Sequence, residues 1–99
     1  MLSIQKERSN SQLTLNLEGR LDSNSAPELD SELRADLDGI RRLVLNLSEL
    51  SYLSSAGLRV VLSAQKQMNK QGEMIVTGVN ETIMEIFTVT GFADILTIQ

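Results

Sequence analysis

The chain has no cysteine and no histidine among its 99 residues. That excludes a Ser-His-Asp triad, a cysteine nucleophile and any thiolate or imidazole metal site. Tryptophan is absent, and Tyr52, Phe87 and Phe92 are the only aromatic residues, so the core has to be aliphatic. The six glycines are scattered at positions 19, 39, 57, 72, 78 and 91, which leaves no Gly-rich phosphate loop. No Asp/Glu cluster has calcium-loop spacing. No apolar run approaches the roughly 20 residues that cross a bilayer. Residues 1–9 mix Lys6, Glu7 and Arg8 with polar side chains, unlike a signal peptide. A net charge of −4 argues against a nucleic-acid footprint. The absence of cysteine fits a reducing compartment. These exclusions predict one cytoplasmic domain over residues 1–99, with no cofactor, no metal, no membrane contact, no direct nucleic-acid contact and no catalysis of its own.

What is present is pattern. Leu2 and Ile4, then Leu13, Leu15 and Leu17, alternate with polar residues, the period of half-buried strands. Ser9-Asn10-Ser11 between them suits a hairpin turn. Gly19-Arg20-Leu21-Asp22 leads out of the second strand. Ser25 is placed to cap a first helix, with Pro27 in its first turn and Glu28 at capping-box spacing. Ala26, Leu29, Leu33 and Leu37 share one face of that helix, and Gly39 stops it. Residues 41–47 follow as a strand, and their apolar run predicts a central position, covered on both faces or well inside the sheet.

A polar loop, Ser48 to Ser55, then leads into a second helix from about Ser55 to Lys70. Leu58, Val61, Leu62, Gln65 and Met68 give it an inward stripe with one polar interruption. Gly72 ends it, and residues 74–77 make a fourth strand. Asn80 caps a third helix carrying Ile83, Met84, Ile86 and Phe87, stopped near Gly91. Residues 95–98 read as a short fifth strand. The order ββαβαβαβ predicts an α/β fold, a mixed five-stranded sheet with an N-terminal hairpin and three main helices. The two polar loops, 22–25 and 48–55, both follow strands and precede helices. They should open on one edge of the sheet, where partners of such sheets bind.

Leu45-Asn46-Leu47-Ser48-Glu49-Leu50-Ser51-Tyr52-Leu53-Ser54-Ser55-Ala56-Gly57-Leu58-Arg59 resembles the signature of anti-sigma factor antagonists, the STAS domain family. The Gly19-Arg20-Leu21-Asp22 segment is similar to the family's Gly-x-Leu-Asp turn. The resemblance covers the whole length and implies a binding switch. An unphosphorylated antagonist binds an anti-sigma factor that is also a serine kinase, and so frees a sigma factor. The kinase phosphorylates one serine at the helix start and the complex dissolves. A metal-dependent serine phosphatase restores the antagonist. By position the phosphoacceptor is Ser55, two residues before Gly57. Many members have Asp before the acceptor, where this chain has Ser54, and Ser54 stays open as a second acceptor. The residue after it is often Ser and is Ala56 here. The implied partner surface comprises Asp22, Asn24, Ser54, Ala56, Gly57 and Arg59.

Plainer roles compete with these. Ser54 or Ser55 could serve only as a helix cap, a contact of about 1 kcal/mol. Asp22 and Arg59 read in isolation as solvated residues, and Gly57 as the site of a close helix-to-strand contact. Met68, Met74 and Met84 read as core fillers. A STAS module that does not cycle phosphate, acting as a scaffold or holding a nucleotide or anion, is the main alternative. A hydrolase with Ser55 as nucleophile would lack a histidine base, and Lys66 and Lys70 lie more than two helical turns away.

Overall fold

A computed structural model describes all of residues 1–99. The elements are β1 (Leu2–Ser9), β2 (Gln12–Leu21), α1 (Ala26–Asp36), β3 (Arg42–Leu53), α2 (Ser55–Gln71), β4 (Glu73–Thr77), α3 (Glu81–Thr90) and a 3-10 turn (Phe92–Asp94). The sheet has four strands in the order β1-β2-β3-β4. The first pair is antiparallel and the other two are parallel. The expected fifth strand is absent as an element. Residues 95–98 contribute one bridge, Ile98 to Val76, because the 3-10 turn Phe92–Asp94 engages the Ile95 and Leu96 N–H groups with the Phe92 carbonyl and so takes up the residues that would start a ladder.

Asn10 turns the hairpin at φ 56°, the left-handed region that asparagine tolerates. Leu13, Leu15 and Leu17 of β2 and Leu43, Leu45 and Leu47 of β3 are buried on one face. They join the inward residues of α1, α2 and α3 in one core cluster of 24 buried residues, which includes no aromatic except Phe87. Thr14, Asn16, Val44 and Asn46 on the opposite face are only half-buried. β3 is therefore internal to the sheet but not covered on both faces. Asn46 donates to Asn16 Oδ1 at 2.8 Å and accepts from the Ser48 N–H at 3.1 Å. Lys6 on the edge strand reaches Glu32 at 2.6 Å and Asp36 at 2.9 Å, tying β1 to α1.

The largest departure from the sequence reading concerns residues 48–53. They are strand, not loop. β3 carries irregularities opposite the steps Asn16/Glu18 and Gly19/Arg20, so Asn16 pairs Asn46 while Leu21 pairs Leu53. β3 spends two more residues than β2 over that span. Each extra residue is a bulge that resets which side chain faces inward. Leu47, Leu50 and Leu53 are all buried as a result, at a spacing of three instead of two.

The helices follow their patterns. Ala26, Leu29 and Leu33 of α1 are buried, as is Leu37 just beyond it. On α2 the buried set is Gly57, Leu58, Val61, Ala64, Gln65 and Met68, with Leu62 only half-buried. Met68 and Met74 fill the core, and Met84 is half-buried. Asn80 caps α3 by accepting from the Ile83 N–H at 2.9 Å. No helix is long and apolar enough to cross a membrane.

Candidate functional site

Leu21 and Leu53 are register partners at the carboxyl ends of neighbouring parallel strands. The chain leaves both strands at the same edge. The Ser54 N–H donates to the Leu21 carbonyl at 2.9 Å, which links the two exits. The Asp22 turn and the start of α2 are thereby held side by side.

Ser54 and Ser55 are adjacent but not equivalent. Ser54 is the N-cap of α2, in extended conformation, and its Oγ accepts from the Gly57 N–H at 3.2 Å. It is half-buried. Its carbonyl accepts the Leu58 N–H at 2.9 Å. Ser55 is the first residue of α2, is exposed, and has no hydrogen bond from its hydroxyl to the protein. The first N–H groups of a helix lack intrahelical partners. With those of Gly57 and Leu58 engaged, the N–H groups of Ser55 and Ala56 remain at the positive end of the helix dipole.

Asp22 organises the other loop. Its Oδ1 accepts the N–H groups of Asn24 at 3.0 Å and Ser25 at 3.1 Å. The Ser25 hydroxyl accepts from the Asp22 N–H at 2.9 Å and donates to the Arg20 carbonyl at 2.7 Å. Ser25 sits at the N-cap position of α1 as the sequence implied, but its side chain caps nothing there. The hydroxyl has turned back into the loop, and the first N–H groups of α1 go to backbone carbonyls, Ala26 to Asp22 at 2.8 Å and Glu28 to Ser25 at 3.0 Å, while the Asp22 carboxylate holds the loop N–H groups of Asn24 and Ser25. The Asp22 carboxyl is held below its ordinary value of 3.8, first by the Ser25 N–H. The Asn24 N–H, the Ser25 hydroxyl and the chain's amino terminus lower it further, against partial burial.

A depressed carboxyl contributes stability in full above its ordinary value and loses it as pH falls through the lowered one. The turn is therefore expected to hold its hydrogen bonds at pH 4 and to open only in stronger acid. In Asp22→Asn the acid-dependent opening should vanish. Amide exchange at Asn24 and Ser25 across pH reads this directly, and identical pH profiles in both proteins would show that Asp22 does not hold the turn.

Ala56 and Arg59 of α2 line a shallow groove with Ser23, Pro27 and Asp30 from the first loop and α1. Asn24 is exposed on the rim. Gly57 is buried. A Cβ there would lie 2.8 Å from Leu21 Cγ and from Leu53 Cδ1, and 3.0 Å from the Leu21 carbonyl oxygen. Close packing of α2 on the strand ends is sufficient reason for glycine at this position. The sequence reading missed Arg20 and Tyr52, whose pairing depends on the β3 bulges, and Ser23 and Pro27, which carry no chemical signal of their own. No three Asp, Glu, His or Cys residues converge as a metal site.

The architecture is a small α/β module that presents an unengaged serine at a helix start, beside a carboxylate-stapled turn. Residues 3–99 match the family model of the STAS domain. The BtrV protein of Bordetella bronchiseptica is 44% identical over 81 residues, covering 80% of this chain and 70% of its own length. A Listeria monocytogenes protein named anti-sigma-B factor antagonist is 31% identical over 97 residues, covering 95% of this chain and 84% of its own. The crystal structure of an anti-sigma factor antagonist from Mycobacterium paratuberculosis has the same fold, with a TM-score of 0.89 at 20% identity over 99% of this chain and 85% of that one. Bacillus SpoIIAA in its phosphorylated form gives 0.78 at 18% identity, over 98% and 91% of the two chains. The chain belongs to the STAS domain family.

Proposed function

We propose that this protein is an anti-sigma factor antagonist switched by phosphorylation of Ser55. The unphosphorylated form binds an anti-sigma factor with serine kinase activity and so releases a sigma factor. Transfer of the ATP γ-phosphoryl group to Ser55 Oγ ends the complex, and a metal-dependent serine phosphatase reverses it. The partner surface combines Asp22 and Asn24 with Ser54, Ala56 and Arg59, and Gly57, buried beneath them, sets how closely α2 approaches the strand ends. The protein acts by binding and supplies no catalysis. It works in the cytoplasm, where sigma factors act.

The observation that carries this reading is the contrast between the two serines. Ser55 is exposed with a free hydroxyl, whereas the Ser54 oxygen is engaged in the cap. A kinase can reach the first without dismantling the helix start. Relatives named anti-sigma-B factor antagonist support the partner class, including one from Staphylococcus aureus at 34% identity over 80 residues.

Incubation with the partner kinase and ATP, followed by phosphosite mapping, tests the assignment. Phosphate is expected on Ser55 alone, with none incorporated into Ser55→Ala. Ser54→Ala should lose about 1 kcal/mol of stability with its cap and still be modified. Phosphate chiefly on Ser54 refutes the site. A tight complex with no modification of either serine supports the non-cycling module instead.

The same surface predicts the effect of the first loop. Asp22→Ala should weaken partner binding about tenfold, on the scale of an ordinary interface contact. Glu73→Lys, at the opposite edge of the sheet, should change nothing. Titration calorimetry decides between them, and equal affinities in both variants would remove the Asp22 turn from the surface.

A further inference from the structure

Tyr52 is the most exposed aromatic side chain of the protein, 38% exposed, while Phe87 is fully buried and Phe92 half-buried. It stands directly opposite Arg20 in the β2–β3 register. The Arg20 guanidinium carbon lies 4.2 Å from the Tyr52 ring centroid, a cation–π stack. Its Nε is 3.7 Å from Asp22 Oδ2, close enough for attraction but too long for a hydrogen bond. The Asp22 carboxylate uses its other oxygen on Asn24 and Ser25. No guanidinium donor of Arg20 makes a hydrogen bond within the protein, and the side chain is 54% exposed. Arg34 differs, since its Nε donates to Asp30 at 2.8 Å.

Placement adds to this. The chain is acidic, with nine Lys and Arg residues against thirteen Asp and Glu. Lys6, Arg8, Arg34, Arg41, Arg42, Lys66 and Lys70 lie in the middle of the sheet, toward its other edge, or on the far turns of the helices. Only Arg20 and Arg59 stand at the edge that carries Ser55. Arg59 flanks the groove on the helix side, and Arg20 lies on the sheet side.

The geometry points to the Arg20–Tyr52 stack as a preassembled anchor for the anti-sigma partner, which presents a carboxylate to Arg20 and an apolar side chain to the ring. This rests on the partner-binding reading of the Ser55 edge. The guanidinium is already oriented by Tyr52 and Asp22, so little side-chain freedom is lost when a partner binds. Its fork of donors matches a carboxylate two bonds at a time. Arginine and tyrosine are also the residue types that dominate interface energetics.

The test is calorimetric titration of the anti-sigma kinase, loaded with ADP so that no phosphate is transferred, into wild type and variants. Arg20→Ala and Tyr52→Ala should each lower affinity by about ten- to a hundredfold, the range of interface anchors. The double variant should lose little more than the worse single one, because the two side chains act as a unit. Arg20→Glu should bind more weakly than Arg20→Ala, and Arg20→Lys should recover only part of the loss. Melting temperatures should stay near wild type, which separates an interface role from a structural one. Unchanged affinity in both single variants overturns the inference and leaves the proposed function standing. Equal losses for Arg20→Ala and Arg20→Glu also overturn it, because no partner carboxylate is then being sensed. Failure of the wild type to bind overturns both.

Discussion

Phosphorylation of Ser55 is expected to lower affinity for the anti-sigma partner about a thousandfold, equivalent to about 4 kcal/mol, while leaving the thermal melt in place. The two halves of this expectation have one cause. A phosphoryl group brings about −1.5 to −2 charges at neutral pH. At the first position of α2 it meets the unengaged N–H groups of Ser55 and Ala56 and the positive end of the helix dipole, so the isolated protein tolerates it. Arg59, one turn along the same helix, adds an exposed cation. In a complex the same dianion has to shed water against a packed surface. Left unpaired there, it costs several kcal/mol. The Asp22 carboxylate at the same edge adds like charge. No internal rearrangement is needed, because Ser55 is already exposed before it is modified. Ser55→Asp carries less charge on a shorter arm, so a loss of about ten- to a hundredfold is expected. Calorimetry and thermal melts on the same samples check both halves. Undiminished affinity of the phosphorylated protein would place Ser55 outside the interface, and a collapsed melt would make the serine structural.

The parts of this fold that were legible in the sequence are those where one period runs unbroken. Leu13, Leu15 and Leu17 alternate without interruption, and Ala26, Leu29, Leu33 and Leu37 hold one helical face. Both patterns correspond to observed elements because local geometry and burial agree. That the Asp22 turn and the start of α2 lie at one edge was also legible, since it follows from connection rules alone, although only Ser54 of the expected 48–55 loop separates β3 from α2. The run from Ser48 to Leu53 was not. Its leucines recur every third residue, which matches neither strand nor helix, and only pairing against the shorter β2 explains it. For the same reason no local pattern could bring Arg20 onto Tyr52. The residues 95–98 are strand-like in composition but lack a ladder beyond one bridge. The turn of Ser25 away from its helix follows from its hydroxyl bridging the Asp22 N–H and the Arg20 carbonyl, contacts across the loop that no local pattern announces.

Gly57 links packing to the switch, and its replacement is the second large effect expected. Glycine early in a helix is unfavourable by about 1 kcal/mol relative to alanine, so Gly57→Ala would stabilise α2 if space allowed. It does not. The added Cβ would sit 2.8 Å from Leu21 Cγ and Leu53 Cδ1, inside van der Waals contact. The Leu53 methyl can turn aside. The Leu21 carbonyl, 3.0 Å away, is fixed by the 2.9 Å bond from the Ser54 N–H. Relief therefore requires α2 to move off the strand ends, which loosens the bond joining the two loops. Overpacking of this kind costs about 1–3 kcal/mol, so Gly57→Ala should be destabilised on balance and Gly57→Val more so. A loss of 1 kcal/mol corresponds to about 4–8 °C in Tm for a domain of this size. Leu53→Val removes the crowding methyl and should offset part of the loss in the Gly57→Ala background, although alone it leaves a small void. The cycle of single and double variants in urea isolates that coupling. Because the strand ends hold Ser55 beside Asp22, Gly57→Ala should also slow phosphorylation, and Leu53→Val should restore part of the rate. If Gly57→Ala is as stable as wild type, the helix has slack and packing no longer explains the glycine. If stability falls while Leu53→Val rescues neither stability nor rate, Leu53 is not the crowding partner and Leu21, through its Cγ and its carbonyl, sets the separation.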